Sequence, residues 1–492
     1  MKDAYGRPAG NKGASYGSGK DAYGRETGGV VNHGRGCRDV LFALLFIGAF
    51  IAFLVLSAEG FKKGEPKALI TESGEIPKTV SAKLSERVRS QFGKVVGQLR
   101  DSWKVILGAA SLAVVLAFVW VNVLRVATKQ IIYATLIAGI LLVTGLSVYM
   151  LSLGEDRNNK YLIVCGILGL VFAVVLTCIT IGLRKKIALT ALMMREACTG
   201  LDHNPLILVL AVLSLVLFLG FAAYWLAAFV YLYAVPDENL TKSLYYCVFF
   251  FFWMSGVIAG TFKVAVAGGI ASWYFSRTAG SMNTVVDNPV SPSLAAYVRA
   301  WTLSLGSIAL GALLVAIVKF INWVLEKTRR ESGSKIVRFI IACIQCCLGS
   351  IERMISFVNK YGAVYIAMRG ESFCESTKNV YELLKSEGMS LIAVDFISDW
   401  VLFVGKIFGA AASAILALAI LHARDDHVSG LTISAIIIIS YIVFDIFAHT
   451  LGMGIDTTFV CYIEDLSRNG AGNLVMSPDT HRELETYAAS VQ

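Results

Sequence analysis

Ten stretches of this chain are almost wholly apolar, and polar residues gather in the joints between them. Their approximate bounds are Val40 to Ala58, Val105 to Leu124, Ile131 to Leu153, Tyr161 to Leu183, Leu206 to Val235, Tyr245 to Phe275, Trp301 to Val324, Ile336 to Val358, Phe396 to Leu421 and Leu431 to Cys461. A hydrocarbon core of about 30 Å takes roughly 20 residues of helix, so runs of this length read as membrane spans. Lipid offers a bare backbone no hydrogen bonds, which leaves helices or closed barrels, and unbroken apolar runs exclude the alternation of a barrel strand. The pattern therefore predicts an all-α, polytopic transmembrane helix bundle of about ten spans.

The eighth run is the weakest. Arg338, Glu352, Arg353 and Lys360 fall in or beside it, so it fits a helix along the membrane surface as well as one across it. Residues 1–36 are rich in Gly, Lys and Tyr and repeat KDAYGR at Lys2 and Lys20, the composition of a disordered cytoplasmic tail. The first apolar run starts only at Val40 and has full span length, so an internal anchor is expected rather than a cleaved signal. Residues 59–104 read as an extracellular loop, in which Val80, Leu84, Val88, Phe92, Val95 and Leu99 mark an amphipathic interfacial helix. Residues 37–466 form the transmembrane unit and 467–492 a second cytoplasmic tail.

Composition agrees with the pattern. The 492 residues are 56% hydrophobic and 16% charged, with a mean hydropathy of +0.66, which excludes an ordinary soluble protein. The net charge of +9 sits in tails and joints, as an orientation signal does, and gives no reason to expect nucleic acid as a partner. Basic residues at Arg125 to Lys129 and Arg184 to Arg195 fall on the side of the basic amino terminus when the spans alternate, which makes both termini cytoplasmic. Asn239-Leu240-Thr241, an N-glycosylation triplet, then lies outside. Ten cysteines show no disulfide framework. Cys343, Cys346 and Cys347 lack a second ligand pair at zinc-like spacing, so no metal is expected.

Ionisable groups inside spans are the sharpest chemical signal, because each costs roughly 2.5 to 3.5 kcal/mol on insertion and so faces a cavity or a partner. Lys263 lies in the sixth span, Asp395 and Asp399 open the ninth, and Asp445 and Asp456 lie in the tenth. Tyr441, Asp445 and His449 repeat every four residues, and Asp456 returns to nearly the same face, so one polar stripe runs down an apolar helix. The stripe reads either as a substrate or proton path, or as interhelical hydrogen bonds with a Lys263-to-Asp pair that fixes packing. Asp395 and Asp399, nearer the membrane surface, also fit a capped helix start. The aromatics Tyr224, Trp225, Trp253, Trp273 and Tyr274 suit a cage for a quaternary ammonium, or a belt at the membrane boundary. No hydrolase elbow, phosphate loop, zinc-protease motif or dinucleotide fingerprint occurs in a credible context, so neither catalysis nor a cofactor is expected.

Several ordered segments resemble the choline transporter-like family of solute carriers. Cys37-Arg38-Asp39 precedes the first span; Ala265 to Phe275 is similar to the family's AGxxASxY segment and Leu305 to Val318 to its LGSLAxGA run. Tyr365 to Asn379, Asp395 to Lys406 (DFISDWVLFVGK) and Asp456 to Asn469 (DTTFVCYIEDLSRN) follow in the family's order. The resemblance implies a ten-span carrier with cytosolic termini that moves choline and ethanolamine-like cations, and it draws attention to Asp395, Asp399 and Asp456. Lys263 departs from the pattern, where an uncharged polar residue is expected, and Asp445 reads as its compensating partner.

The reading is a multi-pass carrier for choline or a related organic cation in the plasma membrane or an endomembrane. It works by alternating access, with proton coupling if one of the acids titrates near neutral pH. The substrate contacts Tyr224, Trp225, Trp253, Trp273, Tyr274, Asp445 and Asp456, while Lys263, Asp395, Asp399, Tyr441 and His449 form a coupling or polar network. A scaffolding membrane protein whose tail recruits cytosolic partners, and an organic-cation channel, are the alternatives. The sequence specifies no oligomeric state.

Overall fold

The computed structural model describes residues 36–63, 103–157, 159–233, 240–276, 291–422, 430–469 and 475. The amino-terminal tail, the amphipathic stripe between Val80 and Leu99, the Asn239 triplet and nearly all of the carboxy-terminal tail lie outside the described residues.

Among the described residues there are eleven helices and no strand. They are α1 (Val40–Lys63), α2 (Trp103–Asp156), α3 (Lys160–Gly182), α4 (Arg184–His203), α5 (Leu206–Tyr233), α6 (Leu240–Ser276), α7 (Pro292–Thr302), α8 (Leu305–Glu331), α9 (Lys335–Arg369), α10 (Phe373–His422) and α11 (Gly430–Asn469). Nine of them are long and apolar enough to cross a membrane. The chain is an all-α, polytopic membrane protein.

The 54 residues of α2 would stretch to about 80 Å if straight, far beyond one bilayer. Ala127, at φ −117° and ψ 25°, breaks the helix into two halves of span length. Trp120 and Gly139 lie on either side of this break, yet they meet Gly405 and Trp400, which are only five residues apart on α10. The chain therefore folds back at Ala127, and the second and third apolar runs lie against the same helix.

The weak eighth run is a continuous helix, α9, which extends eleven residues beyond the expected end to Arg369. Its last turns, from Tyr361 to Met368, are buried in the main core. That burial falls beyond the expected run, in which only Ile341 is buried; by length and composition α9 is one of the nine helices able to cross a membrane. The seventh run is divided, since the short α7 ends at Thr302 before α8 starts at Leu305.

Two apolar clusters hold the bundle together. The larger joins α2, α4, α6, α9, α10 and α11, and includes Met193, Met194, Tyr361, Ile455 and Phe459. The smaller joins α1, α5, α6 and α8 around Phe46, Phe53, Phe250 and Trp253. Helices in lipid gain nothing by hiding apolar surface from one another, so close packing supplies the cohesion. On the α6–α8 seam, a Cβ on Gly256 or Gly260 would strike Ala312 or Ile308 at 3.0 and 2.6 Å.

Candidate functional site

A dense polar cluster lies where α9, α10 and α11 meet. Lys360 places its ammonium 2.5 Å from Asp395 Oδ1 and 2.6 Å from Asp456 Oδ2. The neighbouring Tyr361 hydroxyl donates to Asp456 Oδ1 at 2.9 Å and reaches Asp395 Oδ1 at 3.4 Å. Asp456 and Tyr361 are buried. Asp399, one turn beyond Asp395, is within electrostatic reach of Lys360, Asp395 and His449. Three carboxylates thus surround one ammonium. That ammonium also lies 5.7 Å from the Tyr361 ring centroid, within cation–π range, and Phe357 packs on the same ring at 4.8 Å.

The stripe read on the last span is present, and α10 completes it. Lys406 pairs with Asp445 at 2.9 Å and lies 5.1 Å from the Tyr441 ring centroid. His449 Nε2 is 3.7 Å from Asp445 Oδ1. Because α10 and α11 pack along their lengths, these residues, then Asp399, then Asp395 with Asp456, mark successive levels of one seam. From Tyr441 to Asp456 it covers fifteen residues of α11, about 22 Å. Asp445 therefore takes Lys406 as its partner, where the sequence suggested Lys263.

Lys263 lies instead on a separate cavity of about 160 Å³ between α6, α8 and α9. Lys319, Ser307, Ser356 and Asn359 share the lining. Lys319 leans toward Glu352 at 3.9 Å.

The aromatic residues are not brought into one cage. Trp253 is 2% exposed and donates from Nε1 to the Ala309 carbonyl at 3.0 Å, with Phe46 edge-on at 5.4 Å. Trp225 donates to the Cys247 carbonyl and packs on Phe251 at 4.5 Å, while Tyr224 shares a 2.6 Å hydrogen bond with Ser57. Trp273 and Tyr274 lie about 30 Å from Trp253 along α6. There Trp273 meets His203, and the Tyr274 hydroxyl donates to Asp465 at 3.0 Å.

Two junctions at the end of the bundle where α1 starts anchor the remaining motif residues. Asp39 Oδ2 accepts from Ser307 Oγ at 2.6 Å and from the Phe373 backbone N–H at 2.7 Å. Only glycine fits at 306, where a Cβ would overlap the Arg38 and Asp39 carbonyls. In the second junction Arg369 binds Glu371 at 3.2 Å and Glu464 at 2.7 Å, and Asn379 donates to Glu371 at 2.6 Å. Burial pushes the Glu371 carboxyl above its ordinary range, against the opposing pull of Arg369 and Asn379.

Lys360, Tyr361 and Lys406 are the participants that the sequence did not single out. Lys360 stood out there only as an interruption of a weak span, and Lys406 only as the last residue of the DFISDWVLFVGK match. Among the described residues, no group of three or more His, Cys, Asp or Glu side chains could hold a metal.

Comparison with known proteins agrees with this organisation. Residues 167–467 match the family model described as plasma-membrane choline transporter. The chain is 33% identical over 488 residues to a CTL-like protein of Dictyostelium discoideum, covering 92% of this chain and 88% of that one. It is 27% identical over 420 residues to choline transporter-like protein 2 of the same organism, covering 76% of this chain and 65% of the relative. Choline transporter-like protein 2 of Bos taurus is 32% identical over 234 residues, which cover 45% of this chain and 32% of the bovine protein.

Proposed function

Since this chain belongs to the choline transporter-like family, a family of membrane transporters, we propose that it carries choline or a closely related organic cation by alternating access. In this reading Asp395, Asp399 and Asp456 supply the charge that receives the cation. The observation that carries it is the environment of Lys360, whose ammonium rests on two carboxylates and beside an aromatic face. A quaternary ammonium has no N–H to donate, so it is held by negative charge and aromatic surface. Both are present here, and an excess of carboxylates, of which Asp456 is buried and Asp395 half-buried, draws in a cation or a proton. The substrate competes with Lys360 for Asp395 and Asp456, so Lys360 acts as a tethered counter-ion that closes the network again after release.

The seam of Tyr441, Lys406, Asp445, His449 and Asp399 provides a polar route to that cluster, and proton exchange along it couples transport to a pH gradient. Tyr224, Trp225, Trp253, Trp273 and Tyr274 act from outside the acidic cluster, as packing and boundary residues that hold α6 against its neighbours. The plasma membrane is the proposed location, with both termini in the cytosol as the basic joints at Arg125 to Lys129 and Arg184 to Arg195 suggest. Equilibrium binding of radiolabelled choline to the purified protein tests the site: Asp395→Asn lowers affinity at least tenfold, and an unchanged affinity refutes it.

A further inference from the structure

Arg353 is an exposed charge in the middle of a helix able to cross the membrane. It stands eighteen residues from Lys335 and sixteen from Arg369, the two ends of α9, roughly 27 and 24 Å of helix. Three contacts lay α9 antiparallel along α8: Gln345 donates to Glu326 at 3.3 Å, Glu352 pairs with Lys319 at 3.9 Å, and Asn359 donates to the Gly311 carbonyl at 2.7 Å. Arg353 is therefore level with the middle of α8. Its guanidinium meets the Gly349 carbonyl at 3.2 Å and Ser350 Oγ at 3.5 Å, both on its own helix, and among the described residues it has no ion pair. Lipid covers apolar side chains at this depth, but a guanidinium there calls for a polar partner.

The surface around Arg353 is open to such a partner. Between Lys335 and Lys360, Ile341 is the one buried residue of α9. Phe339 and Cys346 are exposed and lead to Arg353 at seven-residue intervals, the spacing that keeps one face of a helix against a parallel neighbour. Gly349, one turn before Arg353, has nothing within 4 Å of a Cβ, which leaves room for close approach.

The complementary charge is in the same chain. Glu352 is 27% exposed, and its ion pair with Lys319 is long at 3.9 Å. Two copies inserted in the same orientation and related by a two-fold axis along the membrane normal meet at equal depth. Arg353 of each then faces Glu352 of the other, and both charges are answered twice across the axis.

We propose that this face of α9 is where two copies of the chain pair, through Arg353 of each and Glu352 of the other. The pairing goes beyond the cation-carrier reading and is independent of it, since neither residue belongs to the carboxylate cluster.

The test is co-purification of two differently tagged full-length chains expressed together. Wild type recovers wild type. Arg353→Glu and Glu352→Arg each recover at least tenfold less of themselves, because each sets like charges across the axis. Expressed together, Arg353→Glu and Glu352→Arg recover one another, since the mixed pair again sets opposite charges together at both positions. Absence of wild-type co-purification, the result when lipid or a different protein covers the face, overturns the proposal. Self-recovery of Arg353→Glu at the wild-type level overturns it as well, and so does failure of the mixed pair when both variants elute as folded protein. Oxidative cross-linking of wild type in its membrane needs no charge variant: it gives a dimer that Cys346→Ser loses and Cys165→Ser keeps. No cross-linked dimer, or one that Cys346→Ser leaves unchanged, overturns the pairing through α9.

Discussion

The carboxylate of Asp39 accepts the backbone N–H of Phe373 at 2.7 Å, 334 residues further along the chain. The same oxygen holds Ser307 at 2.6 Å, so the start of α1 is fastened to the first turns of both α8 and α10. An acid at a helix amino terminus satisfies an orphan N–H and meets the positive end of the helix dipole. Replacing Asp39 with Ala should cost about 1–3 kcal/mol. Asp39→Asn should cost clearly less, because it keeps an acceptor. Thermal unfolding of the two variants in the same detergent checks the order, and equal melting temperatures for wild type and Asp39→Ala would count against the fastening role.

Tyr361 makes a different kind of prediction. Its hydroxyl donates to a buried carboxylate, so Tyr361→Phe leaves Asp456 short of one donor at a cost of about 1–3 kcal/mol. Choline affinity should change as well, since the carboxylate shifts toward Lys360. Binding titrations on the folded variant read this directly; a variant with wild-type affinity would place Tyr361 outside the substrate's surroundings.

Trp253 should behave as a packing residue. It is buried among Phe46, Phe249 and Phe250 and bonded to Ala309, so Trp253→Ala opens a cavity worth about 3–5 kcal/mol. The surviving protein should show a lower melting temperature with an unchanged half-saturation concentration for choline. A large change in half-saturation at unchanged stability would bring Trp253 back into the substrate site.

Lys360 should compete with substrate. Lys360→Gln removes the tethered ammonium from Asp395 and Asp456, so equilibrium affinity for choline should rise severalfold while turnover falls, because release no longer has a replacement cation. Affinity from binding and rate from uptake separate the two effects, and a parallel loss of both would contradict the tethered counter-ion.

The spans were legible because length and apolar continuity are local properties. The division of α2 was legible too, as the Arg125 to Lys129 joint coincides with the break at Ala127. The course of α9 was not: Arg338, Glu352, Arg353 and Lys360 lower its hydropathy, and the pairing of Glu352 with Lys319 and of Lys360 with Asp395 and Asp456 exists only between helices. The stripe of Tyr441, Asp445 and His449 could be read from four-residue spacing, whereas Lys406 as its partner could not, because periodicity shows a face and not what faces it. The aromatic residues could not be placed from the sequence for a related reason, since rings that fill a core and rings that line a cage have the same composition.

The central claim, that the carboxylates around Lys360 receive the transported cation, is tested most directly by radiolabelled choline counterflow in proteoliposomes of purified protein, wild type against Asp456→Asn. Saturable counterflow by wild type, lost by a well-folded Asp456→Asn, is the predicted result. Equal counterflow by the two proteins, or none by folded wild type, would contradict the account.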